Sequence, residues 1–251
     1  FRNPNIDDIG KVREQNGILL VPNSFLKPEY AYNFETGFTK FLNNSKDYIA
    51  LRGFTTLISR HIVRANYSIF SDTSTKDDST IIYNNEEVKT TANKNLGNRY
   101  IFGGSFDSYF TFSKNIFFKN SITITEGNKN EKYGPLPSIS PIFGLLSINY
   151  KDSFFKLSSI INFSGSKDPE KYSFGGEDGL QETPIIEDSN EIKYAGTPSW
   201  YDFSIIGDYT INNNLKINFG IYNLFDFHYR EFGSGISAPG RNIQIGLNWD
   251  P

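Results

Sequence analysis

Apolar and polar side chains alternate with a period of two along most of the chain. Between 98 and 113, Tyr100, Phe102, Phe106, Phe110 and Phe112 share one parity, and Arg99, Ser105, Asp107 and Thr111 take the other. Ile116, Phe118, Ile122 and Ile124 oppose Lys119, Ser121, Thr123 and Thr125 in the same way. Near the end, Leu215, Ile217, Phe219 and Ile221 oppose Lys216 and Asn218, and Ile243, Ile245, Leu247 and Trp249 oppose Gln244 and Asn248. This spacing makes strands with one apolar and one wet face. It predicts strands near 30–42, 48–60, 98–113, 115–126, 141–151, 153–164, 197–211, 215–221 and 240–249. These are about nine strands of roughly ten to sixteen residues, longer than the ~5–6 usual in soluble sheets and sufficient for a tilted membrane strand of ~9–11.

Their connections sort into two kinds. Asn43-Asn44-Ser45-Lys46-Asp47, Ser113-Lys114-Asn115, Lys151-Asp152-Ser153 and Asn212-Asn213-Asn214 are short and rich in Asn, Asp and Ser, which tolerate left-handed backbone and bond their own main chain. Long connections, about 1–29, 61–97, 128–140, 165–196 and 227–239, alternate with them. In an up-and-down arrangement one rim then carries every short turn and the other every long loop, as in outer-membrane barrels. A soluble lectin-like sandwich would also alternate but has no reason to sort its loops.

Composition agrees. The chain holds 23 Phe and 15 Tyr, yet its hydrophobic share is 37% and its mean hydropathy is −0.44. Aromatic abundance in a polar chain suits strands that face lipid on one side and water on the other. There is no Cys, which excludes disulfides and thiolate chemistry, and the net charge of −3 argues against a nucleic-acid partner. No apolar run of about 18 residues exists, so any membrane span must be a closed barrel. The chain opens on Phe1-Arg2-Asn3-Pro4 and contains no Met, and an odd number of strands would leave the two ends on opposite sides. The expectation is therefore an all-β, transmembrane, antiparallel up-and-down β-barrel, of which residues 1–251 form a C-terminal piece.

The chain also resembles a family. Tyr222-Asn223-Leu224-Phe225-Asp226, then Tyr229-Arg230, then Ser237-Ala238-Pro239-Gly240-Arg241-Asn242 resemble the C-terminal signature of TonB-dependent outer-membrane receptors. Phe1-Arg2-Asn3-Pro4 resembles the family's Phe-Arg-Ala-Pro box, Pro22-Asn23-Ser24-Phe25-Leu26-Lys27-Pro28-Glu29 resembles its Asn-Pro-Asn-Leu-Lys-Pro-Glu box, and Thr197-Pro198-Ser199-Trp200-Tyr201 resembles the entry to a late strand. The ending departs from the family pattern, since Trp249 is followed by Asp250 and Pro251. The resemblance implies about nine C-terminal strands of a barrel of roughly 22, with a plug and a TonB-contacting segment outside this chain. It implies active uptake of a scarce nutrient across the bacterial outer membrane, energised by the TonB complex, with a ferric siderophore or related iron chelate favoured as cargo. Haem, cobalamin, oligosaccharide or peptide cargo, or a non-transport barrel enzyme or adhesin, are the alternatives. Expected partners are the small-molecule cargo, outer-membrane lipid and lipopolysaccharide, with a surface lipoprotein left open. Asn223, Asp226 and Pro239-Gly240 read as strand-end and turn residues rather than ligands.

No catalytic group, cofactor or metal site is expected: nucleophile-elbow, phosphate-loop and HExxH patterns are missing, and Asp77-Asp78 sit in a polar loop. The only histidines, His61 and His228, read as surface residues, and no His lies between Asn5 and Val21 to support haem. Asp168, Glu170, Glu177, Asp178, Glu182, Glu187, Asp188 and Glu191 lack calcium-loop spacing and read as a solvated or lipopolysaccharide-facing surface. Loop aromatics are the candidates for gripping cargo: Tyr67, Phe70 and Tyr83 in one loop, Phe227, Tyr229 and Phe232 in another. The competing reading has them packing loops or forming the interfacial girdle.

Overall fold

A computed structural model describes residues 1–251 apart from 16, 43–45, 70–79, 130–133, 175, 189–190 and 250–251. Followed along the chain, a short helix α1 (Ile6–Gly10) precedes strands β1 (Arg13–Gln15) and β2 (Ile18–Leu20). Next come the long hairpin β3 (Tyr30–Phe41) and β4 (Tyr48–Ser59), then β5 (Ile62–Asn66), β6 (Thr80–Tyr83) and β7 (Glu86–Asn95). Four long strands follow: β8 (Arg99–Thr111), β9 (Ile116–Gly127), β10 (Phe143–Lys151) and β11 (Phe155–Ser164). A small hairpin of β12 (Ile185–Asp188) and β13 (Glu191–Tyr194) leads to β14 (Trp200–Asn212), β15 (Leu215–Tyr222) and β16 (Asn242–Trp249).

The long strands form one nine-stranded sheet in the order β16-β15-β14-β11-β10-β9-β8-β4-β3. Each pairs antiparallel with the next long strand in the chain, so the sheet is an uninterrupted meander. These are the nine strands that the alternation predicts. Register sets the two faces. Phe106 pairs with Ile122, Ile148 with Phe118, and Ile205 with Ile221, which pairs with Ile243. One face is thus apolar from edge to edge. The other carries Arg52 against Asp107 at 3.1 Å, Asn218 donating to Asp208 at 2.6 Å, and Ser158 donating to Asn149 at 2.7 Å.

The tight turns work as their side chains demand. Asp152 Oδ1 accepts from the amides of Phe154 and Phe155 at 2.8 and 2.7 Å, and Asn212 Oδ1 accepts from the Asn214 amide at 2.9 Å. Asn43, Asn44 and Ser45 lie outside the described residues. On the apolar face near these turns the ring of Phe155 meets Tyr150, Tyr209 and Phe219, with centroids 6.1–6.4 Å apart. Such clusters at a strand end are what an aromatic girdle requires.

Three glycines lie under aromatic rings of the facing strand: Gly103 under Phe54, Gly144 under Phe163, and Gly207 under Phe219. A Cβ on Gly103 would stand 2.6 Å from the Phe54 ring. The ring closes the gap that the missing side chain leaves and shields backbone bonds of the ladder.

Two long connections are more ordered than the alternation implies. Segments 1–29 and 61–97 combine into a five-stranded sheet above the wall, β2 joining β7 in parallel while β5 and β6 join it antiparallel. Its buried residues, Leu19, Leu20, Val88 and Ala92 among them, form a small core of their own.

Gly103→Val should force the Phe54 ring off the sheet and destabilise the fold by about 1–3 kcal/mol, the usual penalty of overpacking. The full-length protein in detergent would then lose its heat-modifiable compact form at lower urea than the parent. A Gly53→Ala control should change little, because the nearest atom to a Cβ there is 4.0 Å away.

Candidate functional site at the loop rim

Every long connection leaves the same rim of the sheet, so the loops assemble above one end of the wall. Each is fastened by residues at strand ends. Asn223 is buried and holds φ +47, a left-handed conformation that Asn tolerates. Its Nδ2 donates to the carbonyls of Phe227 and Pro239, its Oδ1 accepts from the Phe227 amide, and its own amide donates to Ser204 Oγ. Asp226 Oδ1 accepts from the Arg241 amide at 2.7 Å. The two residues tie both ends of the last loop to β14 and β16.

The boxes near the start do equivalent work. Arg2 pairs with Asp8 at 2.6 Å and Glu29 at 3.6 Å. Asn23 donates to the Asn93 carbonyl, Lys27 and Asn95 exchange two hydrogen bonds, and Glu29 accepts from the Ile62 amide at 2.8 Å. Arg99 heads β8, is 2% exposed, and donates to the carbonyls of Asn128 and Gly134. Apart from the Arg2 ion pairs, these side chains bond the backbone of neighbouring segments.

The densest fastening joins three loops. Lys167 Nζ donates to Asp178 Oδ2 at 3.1 Å and to the Ile139 carbonyl at 2.8 Å, with both side chains almost fully buried. Asp178 Oδ1 also accepts from the Ser138 amide. The ammonium lies 3.9 Å from the Phe232 ring centroid and 4.9 Å from that of Tyr172, whose hydroxyl meets Thr197 Oγ1 at 2.5 Å. Burial lowers the pKa of Lys167, and the neighbouring Asp178 carboxylate opposes that fall. Asp178 therefore departs from the solvated surface expected of the acidic loop: it is the counter-ion of a buried lysine. Asp168, Glu170, Glu177 and Glu182 are exposed. Among the described residues no group of three or more His, Asp or Glu stands together to hold a metal ion.

Between loops 165–199 and 223–241 lies a cavity of about 310 Å³, lined by Glu182, Thr197, Trp200, Phe227, His228, Tyr229, Arg230 and Glu231 among others. The Tyr229 ring stacks on Trp200 at 4.2 Å and 20°, and Phe227 stacks on Tyr201 at 5.4 Å. Register puts Trp200 on the polar face and Tyr201 on the apolar one. The loop consequently straddles the head of β14, with Phe225 and Phe227 on the apolar side and Tyr229 on the polar side. Burial raises the pKa of Tyr229, with Asp202 and Glu231 adding to the rise.

The six aromatics singled out in the sequence do not converge. Phe227 and Tyr229 line this cavity. Phe232 packs against Tyr172 and lines a neighbouring cavity. Tyr67 lies under Lys94 and Tyr83 ends β6, both on the separate small sheet. Phe70 falls outside the described residues, as do Asp77, Asp78, Asp250 and Pro251. His228 meets Ser237 Oγ at 3.0 Å, while His61 sits at the head of β5 with Nδ1 buried and unbonded. Sequence reading missed Trp200 and Lys167 as organising residues. A signal existed for Trp200, whose place in the strand's alternation aims it at the polar face.

A nine-stranded two-faced wall with loops gathered on one rim defines a membrane β-barrel wall. The family model described as TonB dependent receptor-like, beta-barrel matches residues 1–224, and the chain belongs to that family of outer-membrane proteins. No curated protein matches it. Among solved structures it is similar to the copper transporter OprC at 16% identity, covering 90% of this chain and 33% of that one with a TM-score of 0.66. The ferric enterobactin receptor PfeA from Pseudomonas aeruginosa matches at 17% identity, covering 92% of this chain and 32% of that one, with a TM-score of 0.66. The siderophore receptor PirA from Acinetobacter baumannii matches at 18%, covering 92% and 33%, with a TM-score of 0.66. The chain spans about a third of the length of these structures.

Lys167→Met leaves the Asp178 carboxylate buried without its counter-ion, an arrangement that costs about 3–5 kcal/mol. Added protease should then cut within 165–199 in the purified full-length protein in detergent, and the double variant Lys167→Met/Asp178→Leu should restore much of the resistance. Acidification should act at another point. Burial lowers the His61 pKa from its ordinary value of 6.5, the Glu29 charge opposing and Arg99 and Arg2 reinforcing. A folded-state pKa below the unfolded one means the unfolded segment binds more protons, so local stability falls as pH drops below about 6.5. Hydrogen exchange at Ile62 and Val63, corrected for intrinsic rates, should accelerate between neutral pH and pH ~5, and His61→Phe should remove the acceleration.

Proposed function

We propose that this chain is the C-terminal part of a receptor that imports a scarce nutrient across the bacterial outer membrane, with TonB supplying the energy. The cargo we favour is a ferric siderophore or related iron chelate. The observation that carries this reading is the cavity at the head of β14, walled by Trp200, Phe227 and Tyr229 within loops that share one rim. Flat rings edged by Arg230 and Glu231 offer an aryl-bearing chelate both stacking and polar contacts. One of the similar structures is named a ferric enterobactin receptor and another a siderophore receptor, which supports the choice of cargo.

In this reading the apolar face meets lipid and the loop rim lies outside, beside lipopolysaccharide. TonB engages a segment beyond this chain, and a plug fills the space behind the polar face. The chain contributes wall and mouth, and it performs no catalysis.

The test is uptake. A strain lacking the gene should fail to grow on one ferric chelate supplied as sole iron source. The parent should accumulate that labelled chelate only while TonB is intact. Trp200→Ala should raise the concentration giving half-maximal uptake by about tenfold or more, the typical worth of one aromatic contact at a binding hot spot. Normal growth of the deletion strain on every iron chelate tried would remove the iron reading.

A further inference from the structure

The last loop divides space at the mouth into two compartments. The outer one is the 310 Å³ cavity between loops 165–199 and 223–241. The inner one, about 440 Å³, lies against the polar face, where Thr123, Phe143 and Asn162 project, and is capped by Phe232. Trp200 and Glu231 border both. Tyr229 borders only the outer compartment and Phe232 only the inner one. The wall between them is therefore the Trp200 indole together with the segment 229–232 lying on it.

We propose that the Trp200–Tyr229 stack is a movable partition, and that lifting Tyr229 off the indole joins the two compartments into one passage from the loop face to the barrel interior. Three features support it. The loop is clamped at its ends by Asn223 and Asp226, which fix residues 223–227 and 239–241, while the segment between them is cross-bonded within itself, the Ala238 amide donating to the Tyr229 carbonyl and His228 meeting Ser237, so that it would move as one unit. Among the described residues that segment is held across the cavity by a hydrogen bond from Arg230 to the Glu182 carbonyl, by the stacking of Tyr229 on Trp200, and by Phe232 against Tyr172 and the Lys167 ammonium. The closed arrangement also leaves the Trp200 indole N–H buried without an acceptor among the described residues. An unsatisfied buried donor raises the energy of the closed form, and opening offers that N–H water or an acceptor oxygen of cargo. Trp200 is then the fixed jamb, set by β14, and Tyr229 the moving leaf.

This inference rests on the reading of the wall as a transport barrel, but its test needs no cargo. The chain contains no Cys, so within it an introduced cysteine is the one thiol, and any cysteine elsewhere in the full-length protein is first replaced by serine. In the full-length protein in cells, Thr123→Cys places a thiol in the inner compartment, and Ile236→Cys, 79% exposed, marks the loop surface. A membrane-impermeant maleimide added outside should label Ile236→Cys quickly and Thr123→Cys slowly. Adding Tyr229→Ala should speed labelling at Thr123→Cys about five- to tenfold, the shift expected when one aromatic stack no longer favours the closed state. Tyr229→Phe, which keeps the ring, should leave the rate near that of the parent. Equal labelling of the two thiols with Tyr229 present would overturn the partition, whether or not Tyr229→Ala folds. So would a rate at Thr123→Cys that Tyr229→Ala leaves unchanged in protein retaining heat-modifiable migration. Uptake that fails for every iron chelate while the labelling pattern holds would reject the cargo and keep the partition.

Discussion

An apolar layer offers a backbone no hydrogen-bond partners, so every N–H and C=O within it must be paired by the protein. This constraint explains why the wall is a meander of long strands joined by minimal turns. Each long strand pairs with the next from turn to loop, and the one register shift in these ladders is the bulge at Thr210/Asn212, beside a tight turn. Once the ladder is fixed, side chains have no freedom of face. Alternation then separates an apolar surface from a polar one without any core between two layers, which is why so many of the large apolar side chains are exposed in the isolated chain.

The loop rim obeys the opposite economy. There the backbone is irregular, and specific side chains satisfy it one carbonyl at a time: Asn223, Asp226, Asn23, Asn95, Arg99 and Lys167 each bond main-chain groups of another segment. Asn223 and Asp226, read in the sequence as strand-end residues rather than ligands, are occupied in holding the last loop. The cavity sets three aromatic rings, Trp200, Phe227 and Tyr229, among polar residues that include Thr197, Glu182, Arg230 and Glu231.

The wall was legible in the sequence because both of its signals are local. Period-two alternation and Asn- or Asp-bearing turns act within a few residues, as the Asp152 and Asn212 turns show. The small rim sheet was not legible, because its defining contact, Ile18 beside Lys89, joins distant segments and alternation says nothing about it. Asp178 was hidden for a related reason. Eight acidic residues in one loop look alike in composition, and only the fold brings Lys167 and the Ser138 amide to this one. The loop aromatics were half legible: their presence marks the mouth, while their distribution over two sheets and two cavities depends on how the loops cross β14.

The rim sheet also favours an order of events. Strand β2 lies about seventy residues before its partner in β7, a costly closure for a free chain. The β3–β4 hairpin removes most of that distance, since it sets Tyr30 directly beside Ser59 and delivers both flanking segments to the same place. Closing the rim sheet therefore costs least once the hairpin is in place. A defect in β3 or β4 would deprive the rim sheet of that short closure, although every residue of the rim is intact.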